Sequence, residues 1–145
     1  GELTFLPAGE ACVTINKNLD GCLVLDRIAG QKRELTKSIQ LSIKNGHVTH
    51  IKGNEDAERL RRNLRRFGKS GRAVAEIGVG TNGHVSFGAS AHEDEKVLGT
   101  AHISLGQDQL TKVKGKMLQS VKGIILNPTI CIDGRLIVDN GKMLV

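Results

Sequence analysis

Three dipeptides constrain this chain more than anything else in it: Asn45-Gly46, Asp133-Gly134 and Asn140-Gly141. Each stands between short runs rich in Val, Ile and Leu. A two-residue hairpin loop needs positive φ at its centre, which Asn-Gly and Asp-Gly supply at low cost. A chain joined this way builds antiparallel sheet. Short apolar runs predict strands at 3–6, 12–15, 21–28, 35–43, 47–51, 73–79, 100–105, 123–126, 129–132, 135–138 and 143–145. In 47–51 the alternation places Val48 and His50 on one face and His47, Thr49 and Ile51 on the other. The polar, lysine-rich stretch 107–119 shows no period and is expected to be a mobile loop.

One helix is expected, over 54–67. Asn54 suits its N-cap, and Glu55 and Asp56 suit the positive end of its dipole. Ala57, Leu60, Leu64 and Phe67 form an apolar stripe, and Gly68 is the expected stop. Arg59, Arg61, Arg62, Arg65 and Arg66 cover the outer side. The fold class that follows is α+β: a single domain over 1–145 with a mostly antiparallel β-sheet or partial barrel and one long amphipathic helix.

Composition narrows the function. At 145 residues the chain can bury a proper core. It has three Phe, no Tyr and no Trp, so it lacks the aromatic platforms on which single-stranded bases stack, and nucleic acid is a poor candidate partner. The net charge of +6 suits an acidic partner without choosing one. No apolar run is long enough to cross a bilayer and no signal-peptide pattern is seen, so a cytoplasmic protein without a membrane partner is expected. Cys12, Cys22 and Cys131 are widely spaced with no CxxC pair, and are expected to be buried reduced thiols.

Two residues carry chemistry against their surroundings. Glu76 and His102 each sit alone in an otherwise apolar strand. A buried carboxylate is costly without a partner, so the choices are a metal ion, a bound ligand or a Glu–His pair joining two strands. Two protein ligands fall short of the three usual in a catalytic site. His84 and His92 are candidates for a third. The glycine-rich 78–83 lacks the ending of a P-loop and reads as a tight turn whose backbone amides could grip a carboxylate. Asp94 and Glu95, beside Lys96, read as a solvated acidic turn. No serine or cysteine nucleophile stands out.

The segments GELTFLPAGE, AEIGVGTN, EDEK, HISLG and GIILNPTICIDGRLIVDNGKMLV together resemble the C-terminal domain of the aminopeptidase T and dihydroxypyridine dioxygenase superfamily. The resemblance implies the scaffold of a metalloenzyme. It places an H-x-D pair of metal ligands where this chain has Ser120 and Lys122. A charged lysine offers donors and no acceptor, so it opposes a cation. The resemblance also implies an opposing N-terminal domain, which is expected to be absent here. The expectation is therefore a degenerate metalloenzyme domain: no catalytic residues, no cofactor, and Glu76 and His102 as vestigial metal candidates.

Truncated relatives of this superfamily serve as accessory proteins in crocagin biosynthesis, and the chain is similar to these. That likeness implies binding of a ribosomally made precursor peptide, through an acidic leader, for tailoring enzymes to modify or cyclise. Glu76, Thr81, His102, Ser120 and Lys122 are expected to line the peptide face, with Lys122 pairing with Glu76 or a substrate carboxylate. Arg62 and Arg66, one turn apart, are expected as basic contacts. A homo-oligomer is compatible with this reading. The alternatives are a metal-dependent peptidase or ring-cleaving dioxygenase subunit that completes its site with a partner, and an assembly subunit without a ligand.

Overall fold

The computed structural model describes residues 6–15, 18–106, 112–113, 116–117 and 120–144. Along the chain these form β1 (Glu10–Thr14), β2 (Gly21–Leu25), β3 (Arg27–Ile28), β4 (Ile39–Lys44), β5 (His47–Lys52), α1 (Glu55–Arg65), α2 (Gly68–Gly71), β6 (Val74–Gly80), α3 (Ala91–Asp94), β7 (Ala101–Leu105), β8 (Lys112–Val113), β9 (Lys116–Met117), β10 (Val121–Ile125), β11 (Ile130–Ile132), β12 (Arg135–Asp139) and β13 (Lys142–Met143). Of the strand expected at 3–6 only Leu6 is described, in a bend, and most of 107–119 lies outside the described residues. Within that stretch β8 and β9 pair antiparallel.

The dominant layer is an antiparallel five-stranded sheet in the order β1-β6-β7-β10-β3. A second sheet, β2-β4-β5, packs over one of its faces. Leu25, Ile39, Leu41, Ile43, Val48 and Ile51 from the second sheet meet Ile103 and Leu105 of β7, with Ala57, Leu60 and Leu64 of α1 closing the same core. Side chains alternate along a strand. If Ile103 and Leu105 face the core, His102 and Ser104 face the other way. That alternation makes one face of the large sheet structural and leaves the opposite face for chemistry.

Several expectations are corrected. The mostly antiparallel sheet is as expected, and the described strands do not close into a barrel. The long helix is absent: α1 has 11 residues, ends at Arg65 with Arg66 as its cap, and a separate four-residue α2 follows. Its start agrees with the sequence, since the Asn54 side chain accepts from the Asp56 amide at 3.1 Å. Val48 and Ile51 are both buried, because a register shift pairs Ser42 with His50 and Ile43 with Val48. Thr49 is the extra residue of this bulge, which resets the alternation. β10 begins at Val121, two residues earlier than expected, and this brings Lys122 into the sheet. All three cysteines are free and exposed, not buried.

Candidate metal and ligand site

The site is built by strand register. β1 pairs with β6 so that Cys12 is opposite Gly78 and Thr14 opposite Glu76. β6 pairs with β7 so that Gly78 is opposite His102 and Glu76 opposite Ser104. β7 pairs with β10 so that Ser104 is opposite Lys122. Two neighbouring rows therefore cross one face: Cys12, Gly78 and His102 in the first, then Thr14, Glu76, Ser104 and Lys122 in the second. Glu10, two residues before Cys12, joins the same face.

His102 lies at the centre. Its side chain is 0% exposed. Nδ1 is 3.1 Å from the backbone carbonyl of Glu95. A carbonyl only accepts, so Nδ1 carries the hydrogen and Nε2 is left to face the other way. Nε2 stands 3.4 Å from Glu76 Oε1 and 3.6 Å from Glu10 Oε2, and has no hydrogen-bond partner. The ring reaches this place across a glycine. A Cβ on Gly78 would sit 2.4 Å from His102 Cε1 and 2.5 Å from Nε2, distances no side chain tolerates.

Ligand atoms of Glu10, Glu76 and His102 all lie within 4.8 Å of one another. Two carboxylates and an orphaned imidazole nitrogen repel one another unless a proton or a cation stands between them. The set fits a divalent ion: oxygen and imidazole donors, a buried nitrogen with its lone pair aimed inward, and the Glu95 backbone carbonyl that fixes the ring from behind. Ser104 Oγ, on the same face, is also buried without a partner.

A charged network backs the site. Glu95 and Lys96 are 1% and 4% exposed, so the solvated turn expected at Asp94 and Glu95 is corrected. Lys96 Nζ reaches Glu95 Oε1 at 3.0 Å and Glu10 Oε1 at 3.1 Å, and Lys122 Nζ is bonded to Glu95 Oε2. Burial opposes the charge on Glu95, but the Lys122 and Lys96 bonds outweigh it and hold its carboxyl below the ordinary 4.5. Burial likewise disfavours the charge on Lys96, and the bonds to Glu95 and Glu10 overcome it and raise its pKa. Asp94 is a structural acceptor, taking the amides of Gly30 and Gly88 at 2.8 Å each.

The other expected residues are placed as follows. Lys122 lies on the face in Glu76's row, but its ammonium is paired with Glu95 and not with Glu76. Ser120 is half-buried, one residue before β10. Thr81 is exposed beyond the end of β6, with its amide donated to Gly9's carbonyl at 2.9 Å. Arg62 and Arg66 are on the exposed side of α1, whose buried residues Ala57, Leu60 and Leu64 belong to the core on the opposite face of the large sheet. His84 and His92 do not join the cluster. The amides of Gly80, Thr81 and Asn82 are already bonded to Thr100, Gly9 and Lys96, so these three are not free to grip an anion. Sequence reasoning missed Glu10 as a third donor, although it lies in the LPAGE segment on which the resemblance rested.

A profile of the 2,5-dihydroxypyridine 5,6-dioxygenase (NicX) family matches residues 1–145. The chain belongs to this family. No curated protein matches it. Among solved structures it is similar to a 2,5-dihydroxypyridine dioxygenase from Pseudomonas putida KT2440, with a TM-score of 0.78, 24% identity, and coverage of 92% of this chain and 42% of that one. It is also similar to wild-type AmpT from Thermus thermophilus, with a TM-score of 0.63, 16% identity, and coverage of 97% and 40%. At these identities the two dioxygenase and AmpT structures establish the shared fold. The chain spans about two fifths of the length of each. No described helix is long and apolar enough to cross a membrane.

Proposed function

We propose that this chain is a peptide-binding accessory protein that holds a ribosomally made precursor peptide for tailoring or cyclisation by other enzymes, without catalysing the step itself. The observation that supports this most is the outer edge of β1. Among the described residues no strand pairs with that edge, and all five residues of β1 are exposed. The ladder bonds Thr81 N–H to Gly9 O and Ile15 N–H to Ala75 O are both 2.9 Å. In an antiparallel pair such bonds recur every second residue. Ala11 and Val13 therefore bond inward to β6, and Glu10, Cys12 and Thr14 present their N–H and C=O groups outward. An extended peptide added here would take main-chain bonds from the same three residues whose side chains border the Glu76–His102 face.

The replacement at 120 and 122 supports a binder over a catalyst. Where the resemblance puts two metal ligands, this chain has a hydroxyl and an ammonium tied to Glu95. The excess of basic residues suits an acidic leader. The test is calorimetric titration with the peptide of the nearest short open reading frame beside the gene. Saturable binding without change in the peptide's mass supports the reading, and absence of binding sinks it.

One observation favours a second reading. Glu10, Glu76 and His102 retain three donors for an ion, which suits a metal-dependent peptidase or ring-cleaving dioxygenase subunit completed by a partner. Turnover of a peptide or dihydroxypyridine by the metal-loaded protein with that partner, lost in Glu76→Gln, would establish it.

A further inference from the structure

The face that borders the free edge of β1 is locally acidic in a chain whose net charge is +6. Lys96 bonds to Glu10 and Glu95, and Lys122 bonds to Glu95. Three carboxylates, those of Glu10, Glu76 and Glu95, thus share two ammonium groups, and Glu76 pairs with no lysine or arginine among the described residues. Independently, His102 Nε2 is fully buried, has no partner, and is aimed between Glu10 and Glu76. Two carboxylates and an imidazole nitrogen therefore present acceptors in one corner of the face. The reverse side of β1 differs. Val13 is opposite Ile77, which packs against the core, yet Val13 itself is 60% exposed. An apolar side chain thus stands uncovered at the edge.

We propose that the peptide segment seated on β1 alternates in character, with lysine or arginine where its side chains face Glu10 and Glu76 and apolar residues where they face Val13. This rests on the β1-edge reading given above and adds the ligand's side-chain chemistry to it. Residues paired across neighbouring strands point to the same side of a sheet, where opposite charges attract and like charges repel. A residue opposite Cys12 has Glu10 and Thr14 as diagonal neighbours, within reach of a long side chain. Glu76 is opposite Thr14 on the far side of β1. It is two strand spacings from the added segment, about 10 Å, which a lysine or arginine and a glutamate span together. The next residue of the segment turns to the other side and covers Val13. The acidic leader suited to the overall charge is then a different part of the precursor from the segment on β1.

The full chain is titrated calorimetrically in chelator, which keeps divalent ions from cancelling the two carboxylates. The probes are capped hexapeptides that alternate lysine with valine, glutamate with valine, or lysine with serine. Non-specific attraction to a chain of net charge +6 favours the glutamate peptide, so the sign of the preference decides. The lysine–valine peptide should bind roughly tenfold more tightly than either of the others, and should protect the amides of Glu10, Cys12 and Thr14 from exchange. Glu10→Gln and Glu76→Gln should each narrow the gap between the lysine and glutamate peptides, and the double replacement should close it. Continued protection of the Ala11 and Val13 amides shows that β1 keeps its ladder in these variants. Equal or tighter binding of the glutamate–valine peptide, a gap that survives the double replacement, no loss when serine replaces valine, or no binding of any probe would each overturn the proposal. The β1-edge reading is judged separately: a precursor peptide that binds and protects the same three amides upholds it even where the preference for lysine fails.

Discussion

The backbone carbonyl of Glu95 accepts the Nδ1 hydrogen of His102 at 3.1 Å. One residue thereby fixes the imidazole tautomer with its main chain, while its carboxylate holds Lys122 and, through Lys96, steadies Glu10. The two roles can be separated by substitution. Glu95→Gln keeps the carbonyl and removes the charge, leaving Lys96 and Lys122 without their common partner. Removing one member of a buried ion pair typically costs about 3–5 kcal/mol. A loss of that order in urea unfolding is expected.

Acid should act through the same residue. The folded pKa of Glu95 is lowered from 4.5, so the unfolded chain takes up protons first as pH falls. Its contribution is complete above the ordinary carboxylate range and is lost as pH falls through the depressed folded value. Asp56 behaves alike: the Thr36 amide, then the Thr36 hydroxyl and Arg33, prevail over burial and lower its pKa from 3.8. Lys96 has the opposite sign. With its folded pKa raised above 10.5, its contribution is present at neutrality and lost as pH rises through the folded value. Denaturation midpoints followed downward from neutral pH should fall, and Glu95→Gln should flatten that slope.

Gly78→Ala should disturb the site itself. The new methyl group would meet the imidazole at 2.4 Å and Cys12 Cβ at 2.9 Å, so the ring must leave its position. Overpacking of this kind costs about 1–3 kcal/mol, and any divalent-ion binding by Glu10, Glu76 and His102 should be lost with it. Gly83→Ala is the control. Its Cβ would meet only Leu98 Cδ2, at 3.6 Å, and stability should stay within about 0.5 kcal/mol of the parent.

Thr14→Pro tests the edge of β1. Proline on an edge strand is tolerated where its missing N–H faces outward, and Thr14 is such a position. The ladder to β6 and the circular dichroism spectrum should survive, while peptide affinity falls about tenfold, the worth of one main-chain bond near 1.4 kcal/mol. An unchanged affinity in calorimetry would place the peptide elsewhere.

Glu76 and His102 were legible in the sequence because a lone ionisable group in an apolar strand has few innocent explanations. The hairpin at Asn45-Gly46 was legible because Asn45 and Gly46 both adopt positive φ, 50° and 70°. Glu10 was not, since an acid just after a Pro-Ala-Gly turn looks solvated until β1 is laid beside β6. Glu95 and Lys96 were missed for a related reason: neighbouring opposite charges resemble surface residues, and only the packing of the 95–97 segment against Gly80 of β6 and His102 of β7 buries them. Register is the common cause. The bulge at Thr49 and the early start of β10 depend on partners far along the chain, which local alternation does not report.

Amide hydrogen exchange, with and without the precursor peptide, tests the central claim most directly. The amides of Glu10, Cys12 and Thr14 should exchange quickly in the protein alone and become protected together when peptide is added, while Ala11 and Val13, already bonded to β6, change little. Protection confined to α1, or a peptide that binds while these three amides still exchange freely, would contradict it.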